Sequence, residues 1–116
     1  MSILIALIAV AHIGFMWMEM RNWPRMAKRL DPTATPEFIE KSSVLAANQG
    51  VYNGFLAAGL IWSLLIADPD WSRNIAIFFL LCVAVAGAYG GWSASKLIYA
   101  VQMAPALVAL LLVLFT

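Results

Sequence analysis

Residues 44–60 read VLAANQGVYNGFLAAGL. The run is apolar enough to demand burial, yet Asn48, Gln49, Tyr52 and Asn53 interrupt it. At about 100° per residue, those four side chains occupy one side of a helix, over an arc of about 140°. Each amide group carries two donors and an acceptor that hydrocarbon cannot satisfy, so the stripe must face other helices, water or a ligand. Gly50 and Gly54 form a small-xxx-small pair that lets a second backbone approach closely. That backbone is a neighbouring helix or a second copy of the chain, which makes a homo-oligomer through Gly50 and Gly54 one expectation.

The apolar character extends in both directions from this segment. Of 116 residues, 64% are hydrophobic and 11% charged, against about 45–50% and about 25% in soluble domains. A soluble domain of this size could not hide so much apolar surface. Four segments, residues 2–20, 44–67, 74–89 and 97–115, offer the roughly 20-residue apolar runs that helical crossings of a bilayer require. The third is the shortest, and Gly87, Gly90 and Gly91 blur its end. Pro105 predicts a mild kink in the fourth, which lipid-embedded helices tolerate when neighbours satisfy the freed carbonyl. Ala9-Val10-Ala11 has the form of a leader cleavage site, but no basic stretch precedes it, so the segment reads as a first span. The expected fold is all-α: a single domain, residues 1–116, forming a four-transmembrane-helix bundle in the lipid bilayer.

The loop over residues 21–43 is the only long polar connection and carries Arg21, Arg25, Lys28, Arg29 and Lys41. Basic residues concentrate on the cytoplasmic side, which assigns this loop there and, after two more crossings, Lys96 as well. Arg73 alone lies opposite, so six of the seven basic residues agree. Both termini are then expected away from the cytoplasm. Thr35 suits a helix cap, Pro36 the first helical position and Glu37 the positive end of the dipole, so the second helix should begin well before its apolar stretch. Asp68-Pro69-Asp70 reads as the turn that stops it. Trp23, Trp71 and Trp92 fall beside span ends, where amphipathic rings favour the interface.

Ionisable groups inside spans are expensive and mark function. His12 lies nine residues from Arg21, about 13 Å deep. Glu19 is two turns further along the same face, near enough to the span end to be either interfacial or part of a site. In the fourth span Ser95, Tyr99 and Gln102 recur at spacings of four and three on one face. Together these residues imply a polar vestibule in the cytoplasmic half, with His12 and Asn53 at its floor and little contribution from the third span. Candidate proton-transferring residues are His12 and Glu19; candidate ligand-binding residues are Asn48, Gln49, Tyr52, Asn53, Tyr99 and Gln102.

Other classes are disfavoured. A formal net charge of +1 offers no basic field for nucleic acid. The single cysteine, Cys82, sits in an apolar run and excludes disulfide frameworks. Metal-ligand spacings, nucleotide loops and nucleophile motifs are missing, so the sequence names no cofactor.

Three segments carry a family resemblance: His12-Ile13-Gly14-Phe15-Met16-Trp17-Met18-Glu19-Met20, the 44–60 run quoted above, and Val101-Gln102-Met103-Ala104-Pro105-Ala106. On these, the chain resembles the domain of unknown function 1304 family of small bacterial membrane proteins, over essentially its whole length. The resemblance implies a multi-pass protein of the bacterial inner membrane, with no established activity. Members often have Glu directly before the histidine; here that position is Ala11, which shifts weight to Glu19. In architecture the chain is also similar to the membrane-associated eicosanoid and glutathione metabolism proteins. Their second helix typically carries Arg and Glu around an Asn, and this one has neither. Three functions fit these residues: a site that binds or acts on a small amphiphilic molecule entering from the cytoplasmic leaflet, a proton-coupled small-molecule transporter using Glu19 or His12, or a non-catalytic subunit of a membrane complex.

Overall fold

A computed structural model describes residues 1–116 as an all-helical chain without strands. Helix α1 spans Ser2–Arg21, α2 Trp23–Leu30, α3 Pro36–Leu65 and α4 Pro69–Ser93; a π-helical turn, Tyr99–Met103, leads into α5, Ala104–Phe115. Helices α1 and α4 are both long and apolar enough to cross a membrane, and the Tyr99–Phe115 segment is apolar but shorter. Although α3 has 30 residues, Asn48, Gln49 and Asn53 lower its apolarity. Four crossings were expected; two helices qualify by length and composition alone.

Local chemistry explains where the helices begin and end. Thr35 caps α3 by accepting the Phe38 N–H at 3.2 Å, with Pro36 in the first turn, as its sequence predicts. The Asp68-Pro69-Asp70 triplet behaves differently from its expected role as a stop. Helix α3 has already ended at Leu65, and Asp68 instead caps α4, accepting from Asp70 N at 2.9 Å and Trp71 N at 3.0 Å. The glycines of α4 do not end it either, and the helix runs on to Ser93. A Cβ on Gly87 would lie 2.5 Å from the backbone nitrogen of Met103. The missing side chain is therefore what allows α4 and the π-helical turn to touch.

The expected kink at Pro105 takes the form of that turn. Pro105 has no N–H to return to Val101, and its ring crowds that carbonyl. One residue earlier the Ala104 N–H reaches back five residues to Tyr99 O, widening the helix where the ring would clash. The connection between α1 and α3, read as a polar loop, contains α2. Trp23, Met26, Ala27 and Leu30 share one face of it, while Arg25, Lys28 and Arg29 share the other. Asp31 then breaks the helix and accepts the Thr33 N–H and hydroxyl, which holds its carboxyl below the usual carboxylate range.

The bundle is elongated, 49 × 22 × 18 Å, and differs along its length. At the end holding both termini, Ile5, Ile8 and Ala9 of α1 pack with Leu60 of α3, with Leu80 and Val83 of α4, and with Ala106, Ala109, Leu110 and Val113 of α5. Arg73 of α4 fastens this end by donating to Val113 O at 3.2 Å and Leu114 O at 3.1 Å, carbonyls that the last turn of α5 leaves free. Much of the outer surface is apolar: Ile3, Val44, Leu65 and Phe115 are each more than three-quarters exposed. Gly87→Ala should lower stability by about 1–3 kcal/mol, because backbone must move to admit the methyl group. Gly14→Ala, in open space, should be neutral or gain up to about 1 kcal/mol; thermal unfolding of the two purified variants checks the contrast.

Candidate functional site

The most extensive helix pair is α1 with α3. Its closeness rests on Gly50 and Gly54. A Cβ on Gly50 would lie 2.6 Å from Met20 Cγ and 3.1 Å from Met16 O, and one on Gly54 would lie 2.8 Å from Met16 Sδ. The close approach that this glycine pair permits is made within the chain. It sets Glu19 opposite Asn53, three residues beyond Gly50, and Asn53 Nδ2 donates to Glu19 Oε1.

A cavity of about 370 Å³ opens beside this pair, at the α2 end of the bundle. Glu19, Gln49, Asn53 and Gln102 line it, joined by aromatic and aliphatic side chains from every other helix contacting it. Helix α2 forms one side: Trp23, Met26 and Leu30 face the cavity, and Trp23 Nε1 donates to Ser42 Oγ at 2.9 Å, fastening α2 to α3. Lys28 Nζ donates to Ala34 O at 2.7 Å, closing the turn that follows. The expectation that the third span contributes little is corrected, because Ala86, Tyr89 and Gly90 of α4 line the cavity.

His12 stands behind this lining, almost completely buried. Its Nδ1 lies 2.8 Å from Ile8 O, an oxygen that can only accept, so Nδ1 carries the proton. Nε2 is then an acceptor, and the Gln102 amide donates to it at 3.1 Å. Both ring nitrogens are thus engaged, and His12 meets the cavity through Gln102 rather than directly.

Of the residues predicted for a site, Glu19, Gln49, Asn53 and Gln102 come together, with His12 one hydrogen bond away. Asn48 and Tyr52 do not join them; both are exposed on α3, and the Tyr52 ring packs edge-on against Phe55 at 5.9 Å. The π-helical turn separates Tyr99 from Gln102, which an unbroken α-helix would have kept on one face. Tyr99 lies over Gly91, where a Cβ would be 2.3 Å from its ring. Ser95 falls between the helices and leaves that face as well. The α2 contribution escaped the sequence reading although Trp23, Met26, Ala27 and Leu30 repeat at helical spacing, because the adjacent charges made the segment read as a loop.

The family model described as "Protein of unknown function (DUF1304)" matches residues 6–114, a stretch that contains every residue of the cavity wall. The chain belongs to this family. It is also similar to the uncharacterized protein YpaA of Lactococcus lactis subsp. lactis (strain IL1403), 32% identical over 77 residues covering 65% of the chain. The match spans 63% of YpaA's own length. No solved structure matches. The second resemblance, to the eicosanoid and glutathione metabolism proteins, finds no support in these comparisons.

In this DUF1304 member the His12–Gln102 bond is open to a direct test. Gln102→Leu should cost about 1–3 kcal/mol, because it strands a buried acceptor on His12. The double variant His12→Leu/Gln102→Leu should recover part of that loss. A double-mutant cycle by equilibrium unfolding should therefore return a coupling of about 1 kcal/mol or more, and additive losses would deny the bond any role.

Proposed function

We propose that this protein crosses the bacterial inner membrane four times as a single-domain bundle and binds a small amphiphilic molecule in the α2-end cavity, from the cytoplasmic side. The observation that carries the reading is the cavity's composition: polar groups of Glu19, Gln49, Asn53 and Gln102 set among apolar walls such as Phe15, Met26 and Ile98. Its volume of about 370 Å³ falls within the roughly 300–1,000 Å³ of small-molecule sites. A membrane setting is supported by the lengths of α1 and α4 and by the apolar outer surface. The orientation is supported by Arg21, Arg25, Lys28 and Arg29, which gather at the cavity end while Arg73 holds the opposite one.

Binding is favoured over coupled transport because a packed core separates the cavity from the terminal end, where a second cavity of about 280 Å³ is lined by Ser63, Ser72 and Arg73. The packing of Ile5, Leu60, Leu80 and Ala106 closes the bundle beyond the cavity, so a solute entering at α2 meets an apolar plug. Among the ionisable candidates, Glu19 is the one in the wall, which gives it the proton-handling role if chemistry occurs there. His12 acts on a ligand only by positioning Gln102.

The test fills the cavity without touching its polar groups. Ala86→Trp, at an exposed position that also lines the cavity, should leave the bundle folded and remove bound amphiphile from protein purified from membranes, as read by native mass spectrometry. Equal retention of ligand in wild type and variant would overturn the reading. Single-cysteine labelling in intact cells checks the topology: a thiol at Arg25 should react with an impermeant reagent only after the inner membrane is opened, and a thiol at Asp70 should react before it.

A further inference from the structure

The direction of the hydrogen bonds around the cavity limits what can enter it. Asn53 gives one N–H of its Nδ2 to Glu19 Oε1, and Gln102 gives one N–H of its Nε2 to His12. Each amide therefore keeps its carbonyl oxygen and one N–H. Asn53 Oδ1, Gln102 Oε1 and Glu19 Oε2 have no partner within the chain, and no unpaired side-chain oxygen of these half-buried residues is sealed from the exterior. All three belong to residues that line the cavity. The wall thus offers a carboxylate and two amide oxygens as acceptors, beside one remaining N–H on each amide.

No lysine, arginine or histidine side chain lines the cavity. Lys28 is engaged by Ala34 O, Arg25 and Arg29 lie on the opposite face of α2, and Arg21 and Lys96 are exposed beside the cavity end. Inside the chain the Glu19 carboxylate is met by a neutral amide. A carboxylate in an apolar surround that lacks a cation of its own favours a ligand that brings one. Phe15, Trp23 and Tyr89 complete the lining with aromatic rings, whose faces attract ammonium groups.

We propose that the cavity selects a protonated amine head, so that the amphiphile is an alkylamine-type cation held by Glu19 and by the free carbonyl oxygens of Asn53 and Gln102, its chain lying against Met26, Leu30 and Ile98. This rests on the amphiphile-binding reading above. A protonated primary amine has three donors, matching the three acceptors, whereas a carboxylate or phosphate head would face the like charge of Glu19 and find only neutral amide donors in the wall.

The experiment compares three probes of equal chain length, n-decylamine, n-decanol and decanoate, on the full-length protein in lipid nanodiscs, with empty nanodiscs subtracted. Binding of decylamine should exceed that of decanol by about tenfold or more, since a hydrogen bond between charged groups is worth that much. In Glu19→Gln, which keeps an acceptor for Asn53 and should keep the fold, the preference should shrink to within about threefold. If all three probes bind alike and all are lost in Ala86→Trp, the amphiphile cavity stands and the amine selectivity is overturned. Tighter binding of decanoate than of decylamine overturns it as well. If no probe binds above empty nanodiscs, both the selectivity and the cavity's role in binding fail.

Discussion

The close approach of α1 to α3 at Gly50 and Gly54 is the constraint from which the rest of the structure follows. Two absent side chains let the backbone of Met16 and the side chains of Met16 and Met20 settle against α3. That contact brings the Glu19 carboxylate within reach of Asn53. Interhelical hydrogen bonds of this kind contribute about 0.6 kcal/mol on average, and up to about 1.7, in apolar surroundings. The bond's importance lies less in that energy than in orientation, because it fixes the Asn53 amide with its oxygen free to accept.

The same logic operates at His12 and Gln102. A buried imidazole must satisfy both nitrogens, and the Ile8 carbonyl settles which one carries the proton. Gln102 completes the pair and is itself oriented by it. The π-helical turn ahead of Pro105 puts Gln102 in the cavity wall while leaving Tyr99 over Gly91. A backbone irregularity forced by one proline thus decides which polar side chain of the last segment is available. The bundle then differs along its axis, with a packed apolar core toward the terminal end and the larger cavity, flanked by α2, at the other.

Much of this was legible in the sequence. The helical class followed from composition, the start of α3 from Thr35 and Pro36, and the meeting of Gln49, Asn53 and Gln102 from the cost of placing polar groups in apolar helices; Glu19, near a span end, was open to an interfacial place as well. Other features were not, for identifiable reasons. Asn48 and Tyr52 share the stripe with Gln49 and Asn53, but the arc is wider than the strip of α3 that the glycine contact turns inward, so its edges stay exposed. Asp68 looked like a terminator because Asx-Pro sequences both end and begin helices, and only the position of Leu65 distinguishes the two. The role of α4 was invisible because Ala86 and Gly90 contribute by being small, and Tyr89 stood at a predicted span boundary. The covering helix α2 was hidden by its charges, although its apolar repeat is regular.

Photolabelling tests the central claim, that polar groups from α1, α3 and the π-helical turn line a ligand cavity beside α2, most directly. A diazirine placed at the end of a ten-carbon amine probe, activated on the protein in native membranes and mapped by peptide sequencing, should mark Phe15, Met26 and Ile98, the apolar wall of the cavity. Labels spread instead over the outward-facing Leu45, Phe55 and Leu107, with none in the cavity, would contradict the account.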